Sequence, residues 1–288
     1  MHKRRWNAMK LVLILEPQSP LLIKSGSTSP NPSLPDMQFV RTITHQGEVV
    51  FIPGSSLKGV FRSFTEKVLR TVKPNFACDP FSSDHCGKKV ENIEDTAKVY
   101  RESCFACKMY GNTRLRGRLS FSDAYPEGEV KTETRYGVAI SRLTNAAISP
   151  FDMETLVQGK LRTSLVLENF EIWQLGLIAL TIEAINDGLL KIGFGKNRGF
   201  GKVNMKVEEA VAEMAAGIDG NVLWGAGAFV SEEDRRAYGL SKDDKLEGLP
   251  KGEEMGFGIF VRRRYDSGSW EAIASKAIES LKNLGRLQ

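Results

Sequence analysis

The stretch FIPGSSLKGVFRSFTEKVLR, residues 51–70, decides the fold. Leu57, Val60, Phe61, Phe64 and Val68 recur at the i, i+3, i+4, i+7 spacing of one buried helical face, and Lys58, Arg62 and Lys67 stay off it. The spacing predicts a helix over about 56–70, with Ser55 or Ser56 capping its first turn and Pro74 stopping it. Capping needs only one serine. Gly54 and Gly59 leave backbone exposed beside a helix start whose free N–H groups attract phosphate, and a capped core helix following a strand accounts for the same residues.

Outward from this helix, residues 8–16 (AMKLVLILE) read as a buried strand, and 17–37 as a loop too long and too rich in Ser, Pro and Gly to be a simple turn. After the helix, 117–123 (GRLSFSD) alternates as a strand. A second set follows: a strand over 161–172, a helix over about 174–186 with Leu175, Ile178, Ile182 and Ile185 on one face, a glycine-rich turn, and a strand over 201–208. Both halves read strand, helix, strand. The expected fold is α+β, a ferredoxin-like βαββαβ core of the kind used by RNA-recognition domains. Two insertions interrupt it, 71–116 with all four cysteines and 125–160, polar and basic. The division expected is a core over 1–216 and an extension over 217–288. The extension comprises an acidic, Gly-rich stretch to about 258 and a terminal amphipathic helix over 269–284.

With 288 residues, 41% hydrophobic and 26% charged, the chain can bury a sizeable core. No apolar run reaches the 18 residues of a membrane helix, and the first apolar stretch has no small-residue cleavage site after it, so a cytoplasmic location is expected. The net charge of +5 is unevenly spread: Val207–Glu254 holds five Lys or Arg against twelve Asp or Glu, a balance of −7, which leaves +12 on the rest. That excess suits a polyanion partner, although lysines and arginines also serve simply to solvate a surface.

In a chain without an export signal, the four cysteines point to metal or free thiols rather than disulfides. Cys104 and Cys107 form a C-x-x-C pair, and Cys78 and Cys86 a looser one with His85 beside it. Two paired segments can supply the tetrahedral set that a structural Zn2+ takes, and His85 could replace one thiol. GFGKNRGFGKV, 193–203, interleaves four glycines with Lys196, Arg198 and Lys202, which suits a phosphate chain but matches neither a P-loop nor a dinucleotide fingerprint. Glycine alone is explained by a tight hairpin. With only three histidines, none in a nucleophile motif, histidine-based acid–base chemistry is poorly supplied. Asp36, after Pro35 in the long first loop, is the acid that stands out, and a turn carboxylate is its plainer reading.

Four of these segments, in this order, resemble the RAMP superfamily of CRISPR-associated proteins, and within it the Cas-seven-like backbone subunits of type III effector complexes. IPGSSLKGVFR (52–62) resembles the family's turn and first helix, and GRLSFSDA (117–124) its strand before the thumb. TETRYGVAISRLTNAA (132–147) is similar to its thumb, and GFGKNRGFGKV (193–203) to its terminal glycine-rich loop. The resemblance covers about 8–208. It implies that Ser55, Ser56, Lys58 and Arg62 hold the phosphate backbone of a guide RNA, with Lys196, Arg198 and Lys202 in the glycine-rich loop. It also implies that Arg135, Arg142, Leu143 and Thr144 of the thumb face the guide–target duplex. Cys78, Cys86, Cys104 and Cys107 resemble zinc-holding insertions of some relatives. Asp36 stands where type III backbone subunits carry the loop aspartate required to cut target RNA, with a divalent metal such as Mg2+ as the cofactor expected for cleavage. The loop departs from the family pattern: it lacks the usual glycine-rich run and contains Pro20, Pro30, Pro32 and Pro35. Partners implied are guide RNA, target RNA, further copies of the chain and other effector subunits, with no membrane. The alternatives are a non-catalytic scaffold on the same RNA, a guide-RNA-processing endoribonuclease, and a nucleotide-binding enzyme using the glycine-rich loop.

Overall fold

The computed structural model describes residues 4–26, 33–45, 47–215 and 221–286. Pro30 and Pro32, His2, and the expected boundary at 216/217 lie outside the described residues. The fold is α+β around a mostly antiparallel sheet. Across the sheet the strands run Glu253–Phe257, Phe260–Asp266, Val203–Ala215, Asn7–Pro17, Leu161–Glu168 and Leu119–Phe121, each antiparallel to its neighbour. The central strand, Asn7–Pro17, turns Met9, Leu11, Leu13 and Leu15 to a closed face where all four are fully buried. Leu161, Leu165 and Leu167 continue that face on one side, and Val203, Met205 and Val207 on the other.

Past Val207 the apolar residues of the strand Val203–Ala215 change parity, to Ala210, Ala212 and Met214. A one-residue slip would send them to solvent. A bulge opposite Val12 and Leu13 absorbs the extra residue and keeps both sets on the core face. The strand therefore runs to Ala215 rather than ending near 208 as the sequence suggested.

Seven α-helices are described: α1 Gly54–Val72, α2 Cys86–Lys89, α3 Thr96–Glu102, α4 Phe105–Tyr110, α5 Ile172–Asn186, α6 Glu232–Tyr238 and α7 Ser267–Ser280. Helices α1, α5 and α7 contribute to the same apolar core as the closed face of the sheet. The expected buried face of α1 is shifted by about one residue at its C-terminal half: Thr65 and Leu69 are fully buried, and Phe64 and Val68 only partly. Thr65 is accommodated because its hydroxyl bonds to the Phe61 carbonyl at 3.0 Å and to the Tyr110 hydroxyl at 3.1 Å. Helix α5 is buried nearly all round, because α7 covers the face that an amphipathic helix would leave to water. At their crossing a Cβ on Gly176 would sit 2.4 Å from the Ala277 carbonyl oxygen, so a larger residue there would force the helices apart.

Neither serine caps α1. The Ser55 and Ser56 side chains make no capping bond; instead the N–H of Gly54 donates to Oδ1 of Asp123 at 2.7 Å. At the other end Lys73 is extended before Pro74, as a residue preceding proline must be. Asn169, in the left-handed region at φ 49°, ends the strand that the sequence extended to 172, and the Glu171/Gln174 capping box opens α5.

In the segment 125–160, Tyr125–Pro126 pairs with Leu161 and Arg162 of the main sheet, and Lys131–Ile140 against Ala147–Gln158 forms a two-stranded antiparallel hairpin outside it. Residues beyond 220 are built into the main structure: they add two strands to one sheet edge, and Leu223, Leu246, Tyr265, Trp270 and Ile273 enter the main core. The cysteine segment shares a second, smaller cluster with this part of the chain, in which Ala97 and Tyr100 pack with Trp6, Val230 and Tyr238. No helix among the described residues is long and apolar enough to cross a membrane.

Candidate nucleic-acid interface and metal centre

All four glycines of 193–203 lie at positive φ, between 68° and 88°. They form a loop sewn to the segment 20–22: the N–H of Phe194 donates to the Leu22 carbonyl at 2.8 Å and that of Gly201 to the Pro20 carbonyl at 2.9 Å. A Cβ on Gly201 would fall 2.1 Å from the Ile192 carbonyl oxygen, and one on Gly193 2.4 Å from that of Leu22. The glycines thus serve the close approach of two backbones, and the turn they make leaves Lys196, Asn197 and Arg198 exposed. It is a loop between α5 and a strand, not a tight hairpin.

This loop faces one side of α1. Between them runs a groove of about 760 Å3, lined by Ser56, Gly59, Ser63 and Lys67 of α1, by Lys191, Lys196 and Asn197, and by Lys24 from the first loop. Four lysines and no acid line it. None of the four forms an ion pair among the described residues; Lys191 donates to the Lys196 carbonyl at 3.0 Å. The open face of the sheet is a useful contrast. There Arg162 pairs with Glu127 and Glu208, Lys160 with Glu16, Arg262 with Glu213 and Arg264 with Glu209, so these four cations are already neutralised, while Lys10 and Lys206 stand without an ion pair among the described residues. Four lysines with no acid among the lining residues give the groove a positive potential.

The structure brings together Ser56 and Lys196 among the residues singled out in the sequence, and adds Lys24, Ser63, Lys67 and Lys191. Lys24, Lys67 and Lys191 come from three separate segments, so no motif announces them. Ser55 is exposed beside the helix start. Lys58 and Arg62 project from another side of α1. Burial and the adjacent Arg62 guanidinium push the Lys58 ammonium below its ordinary range. Arg62 is held by Glu66 at 2.8 Å and lies 5.9 Å over the Tyr110 ring. Lys202 lies across Gly188, and its carbonyl accepts from Gln18 and Ser19; it does not line the groove. Asp123 already takes the first N–H of α1, so that N–H is not open to an anion.

The hairpin carries apolar side chains into solvent: Tyr136 is 82% exposed and Leu143, at the tip, 95%, with Ile140 and Ile148 beside them. Arg142 and Thr144 share the exposed tip, and Arg135 pairs with Glu133 along the first strand. Asp36 is exposed on the loop that returns along the hairpin base. Its N–H donates to Oδ1 of Asp152 at 2.7 Å, and its Oδ2 accepts from the Asp152 N–H at 3.2 Å.

The sulfurs of Cys78, Cys86, Cys104 and Cys107 all lie within 4.8 Å of one another. Cys78 and Cys107 stand 3.7 Å apart, close to the ~3.8 Å between corners of a tetrahedron with metal–sulfur bonds of about 2.3 Å. Backbone N–H groups of Cys78 and Cys107 point at the Cys104 sulfur, both at 3.4 Å, and that of Cys104 at the Cys86 sulfur at 3.2 Å. Hydrogen bonds from the Cys107 and Cys86 thiols hold Cys104 far down, to about 2, while the bond to Cys104 pushes Cys86 up to about 12. A divalent cation taken up by the four sulfurs displaces the protons they hold. The donor set fits a closed tetrahedral metal centre. His85 is not part of it: its Nδ1 accepts the Lys88 N–H at 3.4 Å as the cap of α2.

The family model of the RAMP superfamily matches residues 14–204. The chain belongs to the RAMP superfamily. RAMP proteins are CRISPR-associated and RNA-binding. The match takes in α1, the four cysteines, the hairpin and the glycine loop, so every site described above lies within the RAMP region. No curated protein matches the chain.

Proposed function

We propose that this RAMP protein is a Cas-seven-like backbone subunit of a type III CRISPR effector complex. It binds guide RNA, assembles along it with copies of itself and other subunits, and cuts complementary target RNA. The observation that carries the reading is the groove between α1 and the glycine loop, with four lysines and no acid. Phosphates track such a surface by charge and contour, leaving sequence to base pairing. Ser56, Ser63 and Asn197 add hydroxyl and amide groups for ribose and phosphate oxygens. Lys58 and Arg62 supply a second cationic pair on the other flank of α1, where an anion relieves their repulsion. Arg198 and Lys202 continue the charge along the glycine loop.

The order of four adjacent strands, Val203–Ala215, Asn7–Pro17, Leu161–Glu168 and Leu119–Phe121, counted along the chain as fourth, first, third and second, supports a ferredoxin-like core. The hairpin is then the thumb, and its exposed Leu143, with Arg135, Arg142 and Thr144, suits insertion beside a base step of the duplex. Zn2+ is the metal best matched to the four thiolates, in a structural role with no open catalytic position.

For cleavage, Asp36 takes the proton of a target ribose 2′-hydroxyl as its oxygen attacks the adjacent phosphorus. The bond to the 5′-oxygen breaks, the leaving oxygen takes a proton from solvent, and a 2′,3′-cyclic phosphate remains. In the alternative form of this reading, Asp36 would instead hold a divalent ion such as Mg2+, which would supply charge neutralisation at the phosphate. A non-catalytic scaffold is the second reading, favoured by the bonds that tie Asp36 to Asp152 as a loop fastening.

The binding test is titration with single-stranded RNA across a salt series. Affinity that falls steeply with salt supports the reading, and a salt-insensitive affinity, or a preference for free nucleotide, removes it. Asp36→Asn in the guide-loaded complex then separates the two forms: loss of cutting with intact binding supports the nuclease, and unchanged cutting removes Asp36 from the mechanism.

A further inference from the structure

The loop that carries Asp36 is fastened to the hairpin at both ends. Leu21 and Leu156 exchange two backbone hydrogen bonds, at 2.9 and 2.8 Å. Met37 donates to the Asp152 carbonyl at 3.1 Å and accepts from the Glu154 N–H at 2.9 Å. Between them Asp152 acts through both backbone and side chain. Its Oδ1 takes the Asp36 N–H, and its own N–H holds Oδ2 of Asp36. Glu154 secures the following turn by accepting from the Phe39 N–H at 3.1 Å and pairing with Arg41. Two exposed carboxylates side by side ordinarily turn away from each other. Here each meets the other's backbone N–H, so the direction of the Asp36 carboxylate is set, with one oxygen fixed to the hairpin strand and Oδ1 without a hydrogen bond among the described residues.

We propose that Asp152 is a positioning residue for Asp36, so that the strand Ala147–Gln158 of the hairpin determines where the reactive carboxylate stands. The role rests on the reading that Asp36 cuts target RNA. Its physical basis is that general-base catalysis depends on reach: displacement of the base by about 1 Å costs roughly 10²-fold in rate. A hairpin seated correctly against RNA holds Asp36 in register through Asp152.

The test uses guide-loaded complexes carrying Asp36→Asn, Asp152→Ala or Asp152→Asn, with single-turnover cutting and target-RNA affinity measured on each. Asparagine keeps the Oδ1 acceptor for the Asp36 N–H, and alanine does not. The expected result is a rate lowered roughly 10²-fold in Asp152→Ala with affinity unchanged, and a rate near that of the natural protein in Asp152→Asn. Cutting by Asp152→Ala at the natural rate, where Asp36→Asn is silent, overturns the positioning role and leaves the nuclease reading standing. An equal fall in Asp152→Ala and Asp152→Asn, or an affinity that falls with the rate, overturns it as well. Unchanged cutting by Asp36→Asn removes Asp36 from the mechanism and this role with it.

Discussion

Asp123 accepts the first N–H of α1, that of Gly54, at 2.7 Å across a sequence separation of 69 residues. The strand Leu119–Phe121 ends just before it, so edge strand and helix start are locked together by one carboxylate, which also takes the Tyr125 hydroxyl at 3.3 Å. Loss of an N-terminal cap typically costs about 1 kcal/mol. Asp123→Ala is therefore expected to lower unfolding stability by about that amount, with Asp123→Asn recovering most of it, whereas Ser55→Ala and Ser56→Ala stay within a few tenths. Urea unfolding of the four variants checks this; a Ser56→Ala loss as large as that of Asp123→Ala would place the cap on the serine after all.

The cysteine centre gives a second expectation. The purified chain is expected to carry one metal ion, lost with Cys104→Ser or Cys107→Ser and retained in His85→Ala, since His85 caps α2 rather than joining the sulfurs. A metal present at 100 times its dissociation constant adds about 2.7 kcal/mol of stability, so a strong chelator lowers the thermal midpoint by a corresponding amount. Elemental analysis with thermal unfolding reads both effects. Loss of metal from His85→Ala would contradict the all-sulfur set.

How much of this was visible in the chain depends on how local the cause is. The central strand and α1 were readable because alternation and the i, i+3, i+4 pattern are written into adjacent residues. The cap on α1 was not, because its donor and acceptor are far apart in sequence and a serine stands at the usual place. The bulge opposite Val12 and Leu13 left its trace only as a parity change between Val207 and Ala210. Cys104 and Cys107 were legible from spacing, whereas the choice between a fourth thiol and His85 depends on where α2 begins. The groove was half readable: the glycine loop and Ser56 stood out, but Lys24, Lys67 and Lys191 converge only when three segments fold together.

Asp244 supplies a pH dependence. Burial pushes its carboxyl up to about 7, with Glu171 nearby adding to the effect and the bond from the Ile172 N–H at 2.9 Å and Arg118 opposing it. Its folded value stands above the ordinary carboxylate range, so the folded state binds the proton more tightly than the unfolded chain. The stability it contributes is full below about pH 4 and is lost as pH rises toward 7. Asp244→Asn keeps an acceptor for the Ile172 N–H without the charge. It is expected to be more stable than the natural protein at pH 8, with the difference shrinking toward pH 5. Chemical denaturation at the two pH values measures it, and a variant less stable at pH 8 than the natural protein would show that the ionised carboxylate is favoured in the fold.

The last prediction separates the two basic surfaces by charge pairing. A lysine that contacts a phosphate displaces counterions, so its removal lowers the dependence of log K on log salt by about 1. Lys67→Gln and Lys191→Gln remove unpaired cations of the groove and are each expected to weaken RNA binding with that signature. Arg162→Gln removes a cation already paired with Glu127 and Glu208, and is expected to leave affinity and salt slope unchanged. Gly201→Ala tests the same surface through the backbone. The Cβ meets the Ile192 carbonyl in a left-handed turn, so the loop must shift and RNA affinity fall although no charge is lost. Fluorescence anisotropy with a labelled single strand reads all four. An Arg162→Gln variant that loses affinity as Lys67→Gln does would move the RNA onto the open face of the sheet, away from the groove.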